Sequence, residues 1–495
     1  MTTAMNLADV FTGVAKRIPD SKAIVSDDVV LSFSDLVGLA SQGARYLKNR
    51  GIGAGDRVGV ALQRPEETIA AALALWMIGA SAMLLDFRAK PGEKNSSAKN
   101  FNIRAIIELR GTPAEPEYEP ILAKQGWRNE IAAMDNAEYE AVTAHHPAII
   151  ALTSGTTGSP QGIAVGHNTF LNRYLAHRTS SLGYSGGVFV CSLPLGYTAP
   201  QIHTLFHLMD GGTVHFLPIL SSAAEVAEAF IELKARAAFI VPPQLAGMLE
   251  MSAGRDTPMF PDLRALTVAG AAVPPEHSVR AHKELTPGYR VDYGSSICCP
   301  MISELSGEDV LKNPNSVGKP HVLTHIRIAG ADGESLPAGE NGLIMIRSPC
   351  IADDIIGEER ENSDRIADGW AIPGDLGYID HDGFLVLTGR ASDLIIRNGV
   401  NVFPREIEHT LLRHPEVKET AVIGYPSEAS GEEVAAFVVA STDTLTVEKL
   451  GVFARANISA DKCPREFRLI DELPRNNNGK VEKKKLVAMF TGEAV

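Results

Sequence analysis

Cysteine is scarce in this chain of 495 residues, which has only Cys191, Cys298, Cys299, Cys350 and Cys463. The number is odd, and no spacing among them matches a zinc site or a disulfide framework. A reducing, cytoplasmic setting is the expectation. Aromatic residues make up only 6%, and 46 Lys+Arg against 60 Asp+Glu leave a formal charge of −14. That deficit of basic residues argues against nucleic acid as the partner, since such binding is driven by basic surface releasing counterions. An anionic ligand needs local cradling instead. The stretch MTTAMNLADVFTGVAKRIPD lacks a basic segment followed by an apolar run, and Asp9 interrupts it, so no export signal is expected.

Long apolar runs are also missing, with one exception. Residues 68–85, TIAAALALWMIGASAMLL, carry no charge over a length that touches the lower limit of a membrane span. The flanks point to a helix followed by a strand. Pro65 sits in a first turn, Glu66 and Glu67 lie near the positive end of the dipole, and Gly79 stops the helix. No membrane span is expected.

What is present is ordinary globular composition, 45% hydrophobic and 21% charged. That excludes disorder and fibrous structure and supplies a large core. Apolar runs at 57–62, 148–154, 187–194, 213–218, 237–243 and 265–270 alternate with helix-length segments such as 222–237. This texture indicates βαβ units in a mainly parallel sheet, an α/β body. From about residue 320 the chain turns to short strands with Asp332-Gly333 and Asp382-Gly383 hairpin signals, a small β region. After Gly389-Arg390 an α+β pattern begins. The expected division is therefore 1–389 as a large body and 390–495 as a smaller domain.

The loudest local signal is TSGTTGSPQG at 153–162, directly after the apolar run AIIAL. Its glycines let the backbone turn and present N–H groups, and its hydroxyl side chains add neutral donors, so it can wrap a polyphosphate without many cations. It is not a Walker sequence. Taken alone, such a stretch reads first as a flexible Gly/Ser turn.

Other strings narrow the choice: SLPLGY at 192–197, VAGAAVPPE at 268–276, DYGSS at 292–296, GENGLIMIRSP at 339–349, GWAIPGDLGYID at 369–380, GRASDLIIRNGVNVFPREIE at 389–408 and LPRNNNGKVEKKKL at 473–486. In this order, over nearly the whole chain, they resemble the adenylate-forming superfamily of acyl- and aryl-CoA ligases, luciferases and adenylation domains. The resemblance implies a two-step ligase. A carboxylate attacks the α-phosphorus of ATP to give an acyl-adenylate and pyrophosphate, and a thiol, usually that of CoA, then displaces AMP. Mg²⁺ would accompany the ATP. A carrier-protein thiol is an alternative acceptor.

The resemblance also implies roles. Thr153, Ser154, Gly155, Thr156, Thr157 and Gly158 would hold the β- and γ-phosphates. Asp375 would accept from the ribose hydroxyls and Arg390 would add a charge-assisted contact. Tyr293, within Asp292-Tyr293-Gly294-Ser295, would lie against adenine, with Gly270, Ala271 and Ala272 as a backbone wall. Lys480 would bridge the carboxylate and the α-phosphate in adenylation, then leave by rotation of the small domain. Gly399 would line a pantetheine tunnel, where lack of a side chain leaves room. Singly, each has a bland reading: Asp375 in a turn, Tyr293 in the core, Arg390 in a surface ion pair, Lys480 in a solvated basic run.

The chain departs from the family pattern in three places. Gln161 stands where the phosphate loop usually has lysine, Ile297 where Tyr-Gly-x-Thr-Glu has its magnesium-holding glutamate, and Ser392 at a hinge that is usually Asp or Lys. Ser296 replaces the threonine hydroxyl, and Glu304 is a candidate to stand in for the missing carboxylate. Loss of that carboxylate also admits a homologue impaired in adenylation that binds nucleotide or consumes a preformed acyl-adenylate. The acyl pocket is expected from Tyr197 through His203 and His207, with Cys298 and Cys299. His203 and His207 lie four apart but have no third ligand, so no resident metal site is expected. Such a lining has no clear cationic anchor and points to a mono-acid, aryl or medium-chain acyl group.

Overall fold

A computed structural model describes residues 5–109, 116–137, 147–153, 161–180, 186–219, 221–255, 257–330, 332–357, 365–427, 430–475 and 481–492. By internal contacts the chain divides into two units, Met1–Ile326 with Ile346–Pro373, and Arg327–Met345 with Gly374–Val495. The contact boundary thus differs from a cut at 389/390. The reason is local: Asp375–Ile379 pairs antiparallel with Leu385–Arg390, which keeps both strands of that hairpin in one unit.

The first unit holds two large sheets. In one, Lys22–Ser26, Thr213–Phe216, Val188–Cys191, Ala237–Ile240, Ala265–Val268 and Tyr289–Ser295 run parallel, with antiparallel strands at both edges. In the other, Pro147–Thr153, Ser81–Leu84, Arg57–Ala61, Ala105–Glu108 and Glu119–Leu122 are parallel, and Gln161–Gly166 folds back antiparallel on Pro147–Thr153. Strands buried on both faces explain the unbroken apolar runs.

The charge-free segment is a helix, Pro65–Met77, followed by the strand Ser81–Leu84. Gly79 between them has φ +73°, a conformation glycine adopts without a Cβ penalty. The helix is apolar all round because it is buried all round: Trp76 donates Nε1–H to the Ala148 carbonyl at 2.8 Å. Among the described residues no helix is long and apolar enough to cross a membrane.

In the second unit, Val417–Ser427 and Gly431–Ala440 form a long antiparallel pair with alternating faces. Val422, Val434 and Ala436 point into one cluster with Ile407 and Leu411 of the helix Pro404–Leu411. Ala421, Ile423, Ala435 and Phe437 point into another with Leu486 of the helix Lys483–Thr491. A sheet covered on both sides again reads as a nearly continuous apolar run.

Candidate functional site

In the first unit, the expected adenine-binding residues sit at the ends of adjacent parallel strands. Val268, the last residue of its strand, is opposite Val291; Gly270 follows two residues beyond that strand end, while Tyr293 is still within its own strand and pairs with Ser303. Gly270 has φ +94°, and a Cβ there would meet nothing within 4 Å. Gly270, Ala271 and Ala272 are exposed, as is Gly294, whereas Tyr293 is buried. An open backbone ledge beside an aromatic ring is a shape that a flat heterocycle can enter.

Asp292 is buried opposite Glu304. Burial pushes its carboxyl well above the ordinary range; Glu304 adds to this and Arg290 opposes it. Its Oδ1 has no hydrogen-bond partner. A neutral acid in that place is a donor as well as an acceptor. Ser296 directs its hydroxyl at Thr198 Oγ1, 3.4 Å away, and its carbonyl accepts from Arg173 Nη2 at 3.0 Å. Arg173 is 1% exposed and also donates Nε–H to the Cys350 carbonyl at 2.9 Å. Sequence reasoning did not single out this arginine, which clamps the segment after Tyr293.

Ile297 is 2% exposed, its carbonyl accepting from the Ala352 amide at 2.7 Å. Glu304 does not replace a carboxylate at that position. Its Oε2 lies 3.1 Å from Arg290 Nη1 and its Oε1 accepts from Ser306 Oγ at 2.7 Å, so both oxygens are engaged. Among the described residues no group of three His, Cys, Asp or Glu could hold a metal ion.

Thr153 ends its strand opposite Gln161. Ser154, Gly155, Thr156, Thr157, Gly158 and Lys480, expected at the nucleotide, lie outside the described residues, as do the side chains of Thr153 and Cys299. Gln161 is buried, and Arg365 donates Nη1–H to its Oε1 at 2.9 Å. No sequence signal marked Arg365.

Tyr197 precedes the helix Thr198–Met209 and is half-buried. Burial first, then Asp86, raise its phenol, while Arg88 opposes them. Gly196 is constrained by close approach, since a Cβ there would lie 2.9 Å from the Asp86 amide nitrogen. His203 is buried, stacked on Phe239 at 4.8 Å and edge-on to His177 at 5.5 Å. Burial, with Arg290 second, lowers its pKa to about 4. His207 meets the Gly187 carbonyl at 3.1 Å through Nε2. Cys298 is fully buried. A cleft of about 1020 Å³ opens at the carboxyl ends of several strands, lined by Arg64, Glu66, Asp86, Arg128 and Phe216, and none of the expected site residues lines it.

In the second unit, Asp375 and Arg390 are cross-strand neighbours, Oδ1 lying 3.1 Å from Nε. Burial lowers the Arg405 guanidinium somewhat, while Glu408 and Asp375 favour its charge. Gly399 lies in a hairpin turn. A Cβ there would meet nothing within 4 Å, and Asn398 (φ +51°) and Gly399 (φ +78°) form the turn between Ile395–Arg397 and Val400–Val402. The Asn-Gly dipeptide is a signal for such a hairpin.

Residues 11–354 match the family model of AMP-binding enzymes, and 406–480 match that of the AMP-binding enzyme C-terminal domain. A 2-succinylbenzoate–CoA ligase of Bacillus licheniformis is 29% identical over 95% of this chain and 98% of its own length. A sulfoacetate–CoA ligase of Cupriavidus necator is 29% identical over 96% of each. Among solved structures, the o-succinylbenzoate CoA synthetase of Bacillus subtilis, in complex with its acyl-adenylate intermediate, superposes with a TM-score of 0.87 at 25% identity, covering 98% of both chains. This chain belongs to the AMP-binding enzymes, the adenylate-forming superfamily, and is of the acyl- and aryl-CoA ligase type.

Proposed function

We propose that this enzyme joins a carboxylic acid to CoA in two steps, forming an acyl-adenylate from ATP with release of pyrophosphate and then a thioester with release of AMP. The observation that supports this reading is the match along nearly the whole chain to acid–CoA ligases. The chemistry requires it to proceed in stages, because oxide is a poor leaving group from a carboxylate and AMP is a good one. ATP would be held by the 153–161 turn, by the ledge at Gly270 beside Tyr293, and by Asp375 and Arg390 on the ribose. Mg²⁺ would enter as the companion of the triphosphate, held largely by phosphate and water.

Lys480 is the proposed adenylation residue, carried on a mobile C-terminal domain that begins near residue 390, with Ser392 at the hinge and Gly399 beside the thiol's path. Tyr197, His203, Cys298 and Cys299 are the proposed acyl-pocket residues. Phenol, neutral imidazole and thiols provide no cation, which favours a mono-acid, aryl or medium-chain acyl group. A cytoplasmic location agrees with a cysteine content that is low and odd in number.

The test is pyrophosphate release over a panel of carboxylic acids that includes 2-succinylbenzoate and sulfoacetate, with acyl-CoA detected by mass. Release that needs both ATP and one acid supports the reading, and no release with any acid, alongside no thioester, overturns it. The buried Ile297 favours a second reading, an enzyme impaired in adenylation. It predicts thioester from synthetic acyl-adenylate and CoA but none from acid and ATP. Replacing CoA by a phosphopantetheinyl carrier protein tests the alternative acceptor.

A further inference from the structure

We infer that Arg397 and Glu433 are positioning residues for the thioester step, their ion pair setting the base of the Asn398–Gly399 turn so that CoA is accepted. The inference rests on the proposed place of Gly399 beside the thiol's path and deepens it. In that step a C–S bond forms as the C–O bond to AMP breaks; the thiol has given its proton to water, and the electron pair leaves with AMP. The hairpin that carries the turn has little apolar support. Its strands, Ile395–Arg397 and Val400–Val402, are three residues each, and a pair this short is marginal in water on its own. Ile395 and Val402 are buried, but Ile396 is 51% and Val400 37% exposed, and both turn residues are exposed as well.

Arg397, the residue directly before the turn, supplies the missing support through its side chain. Its Nε lies 2.9 Å from Oε2 of the buried Glu433. Its Nη1 is directed at three carbonyls of another segment, Ala460 at 3.3 Å, Asp461 at 3.2 Å and Cys463 at 3.1 Å. Glu433 is fixed in turn, because its Oε1 accepts from Ser430 Oγ at 2.9 Å and from Arg465 Nη1 at 3.4 Å. Burial opposes ionisation of Glu433, but the Ser430 hydroxyl, Arg397 and Arg465 outweigh it and hold the carboxyl below its ordinary range. The backbone adds a tie at the same place: Arg397 pairs with Gly431, and the Asn398 amide donates to the Ser430 carbonyl at 2.9 Å. A charged pair with its other atoms engaged holds one geometry, which is how a supporting shell orients a loop that touches substrate. Neither residue is among the groups proposed to act in adenylation, so the loss should be felt at the thiol.

The experiment takes an acid that releases pyrophosphate with wild type and measures three quantities: pyrophosphate release, hydroxamate formed with hydroxylamine, and acyl-CoA formed at varied CoA. In Glu433→Gln the KM for CoA should rise at least about tenfold, because displacement of a positioning element by about 1 Å is enough to do so. Pyrophosphate release and hydroxamate should stay within about twofold of wild type, since hydroxylamine is small and needs no guided path to the adenylate. Arg397→Gln should show the same split. The double variant Arg397→Gln/Glu433→Gln should be no worse than the worse single, because the two side chains act as one unit, and additive losses overturn the pairing. Equal falls in all three quantities, or an unchanged KM for CoA, overturn the inference and leave the proposed function standing. Wild type that makes no acyl-CoA overturns both. If Glu433→Gln fails to fold, Arg397→Lys, which keeps a cation opposite Glu433 and loses the forked geometry, must show the split in smaller measure, and its absence overturns the inference.

Discussion

Arg390 and Asp375 face each other across the pair formed by Asp375–Ile379 and Leu385–Arg390, with Nε 3.1 Å from Oδ1. The arginine is 44% exposed, so solvent screens the pair and its contribution to stability is small, about 0–1 kcal/mol. Its consequence is orientation: the ion pair helps to hold the carboxylate in place. Asp375→Asn should weaken AMP binding about tenfold or more, through loss of a charged acceptor, and move the melting temperature little. Nucleotide titration and thermal unfolding of the same preparation check this, and unchanged AMP affinity would remove Asp375 from the site.

Lys480→Ala separates the two half-reactions. Formation of adenylate from acid and ATP should drop by roughly 10²-fold or more, as when a charge-stabilising donor is removed from a developing anion. Conversion of synthetic acyl-adenylate and CoA to thioester should continue at a comparable rate. A parallel loss in both half-reactions would assign the lysine a role other than adenylation.

Ile297→Glu introduces the carboxylate that the family pattern has at this position, and it does so in a place that is 2% exposed. An unpaired charge there carries a desolvation penalty of several kcal/mol. The melting temperature should fall clearly, with no gain in pyrophosphate release at any magnesium concentration. A variant that melts like wild type and adenylates faster would show that the position opens toward the nucleotide.

Acid should destabilise the fold through its histidines. Burial lowers His203 and His207 to about 4, and His177 lies well below its ordinary value for the same reason. In the unfolded chain histidines titrate near ~6.5. Between these values the unfolded state binds protons that the folded state refuses, so stability falls as pH falls from about 6.5 toward 4. Asp292 acts in the opposite sense, because burial and Glu304 make its protonated form the favoured one, and its contribution is lost as pH rises. Melting temperatures at pH 7 and pH 5 measure the net. In His203→Gln the difference should shrink, and an unchanged difference would exclude His203 as a source.

Gly196→Ala tests the turn ahead of the proposed acyl pocket. The added methyl would stand 2.9 Å from the Asp86 amide nitrogen, where only backbone movement can make room. Overpacking of this kind costs about 1–3 kcal/mol. Displacement of Tyr197 next to it should raise the KM for the acid more than the KM for ATP, and equal changes in both would argue against the pocket assignment.

Much of this molecule is written in local patterns. Alternating apolar runs specify strands buried on both faces, Pro65 and Gly79 bound the apolar helix, and the ordered strings from TSGTTGSPQG to LPRNNNGKVEKKKL identify the family. These are legible because backbone geometry and residue spacing act over a few positions. Tertiary structure alone decided that Arg365 reaches Gln161 across 204 residues, that Glu304 is spent on Arg290 and Ser306, and that Ile297 packs into the core. It also decided that Gly399, with φ +78°, lies in the turn between two paired strands. A side chain's partner depends on which strands become neighbours and which face they show. Those choices are made by packing of the whole chain, and no short window of residues contains them.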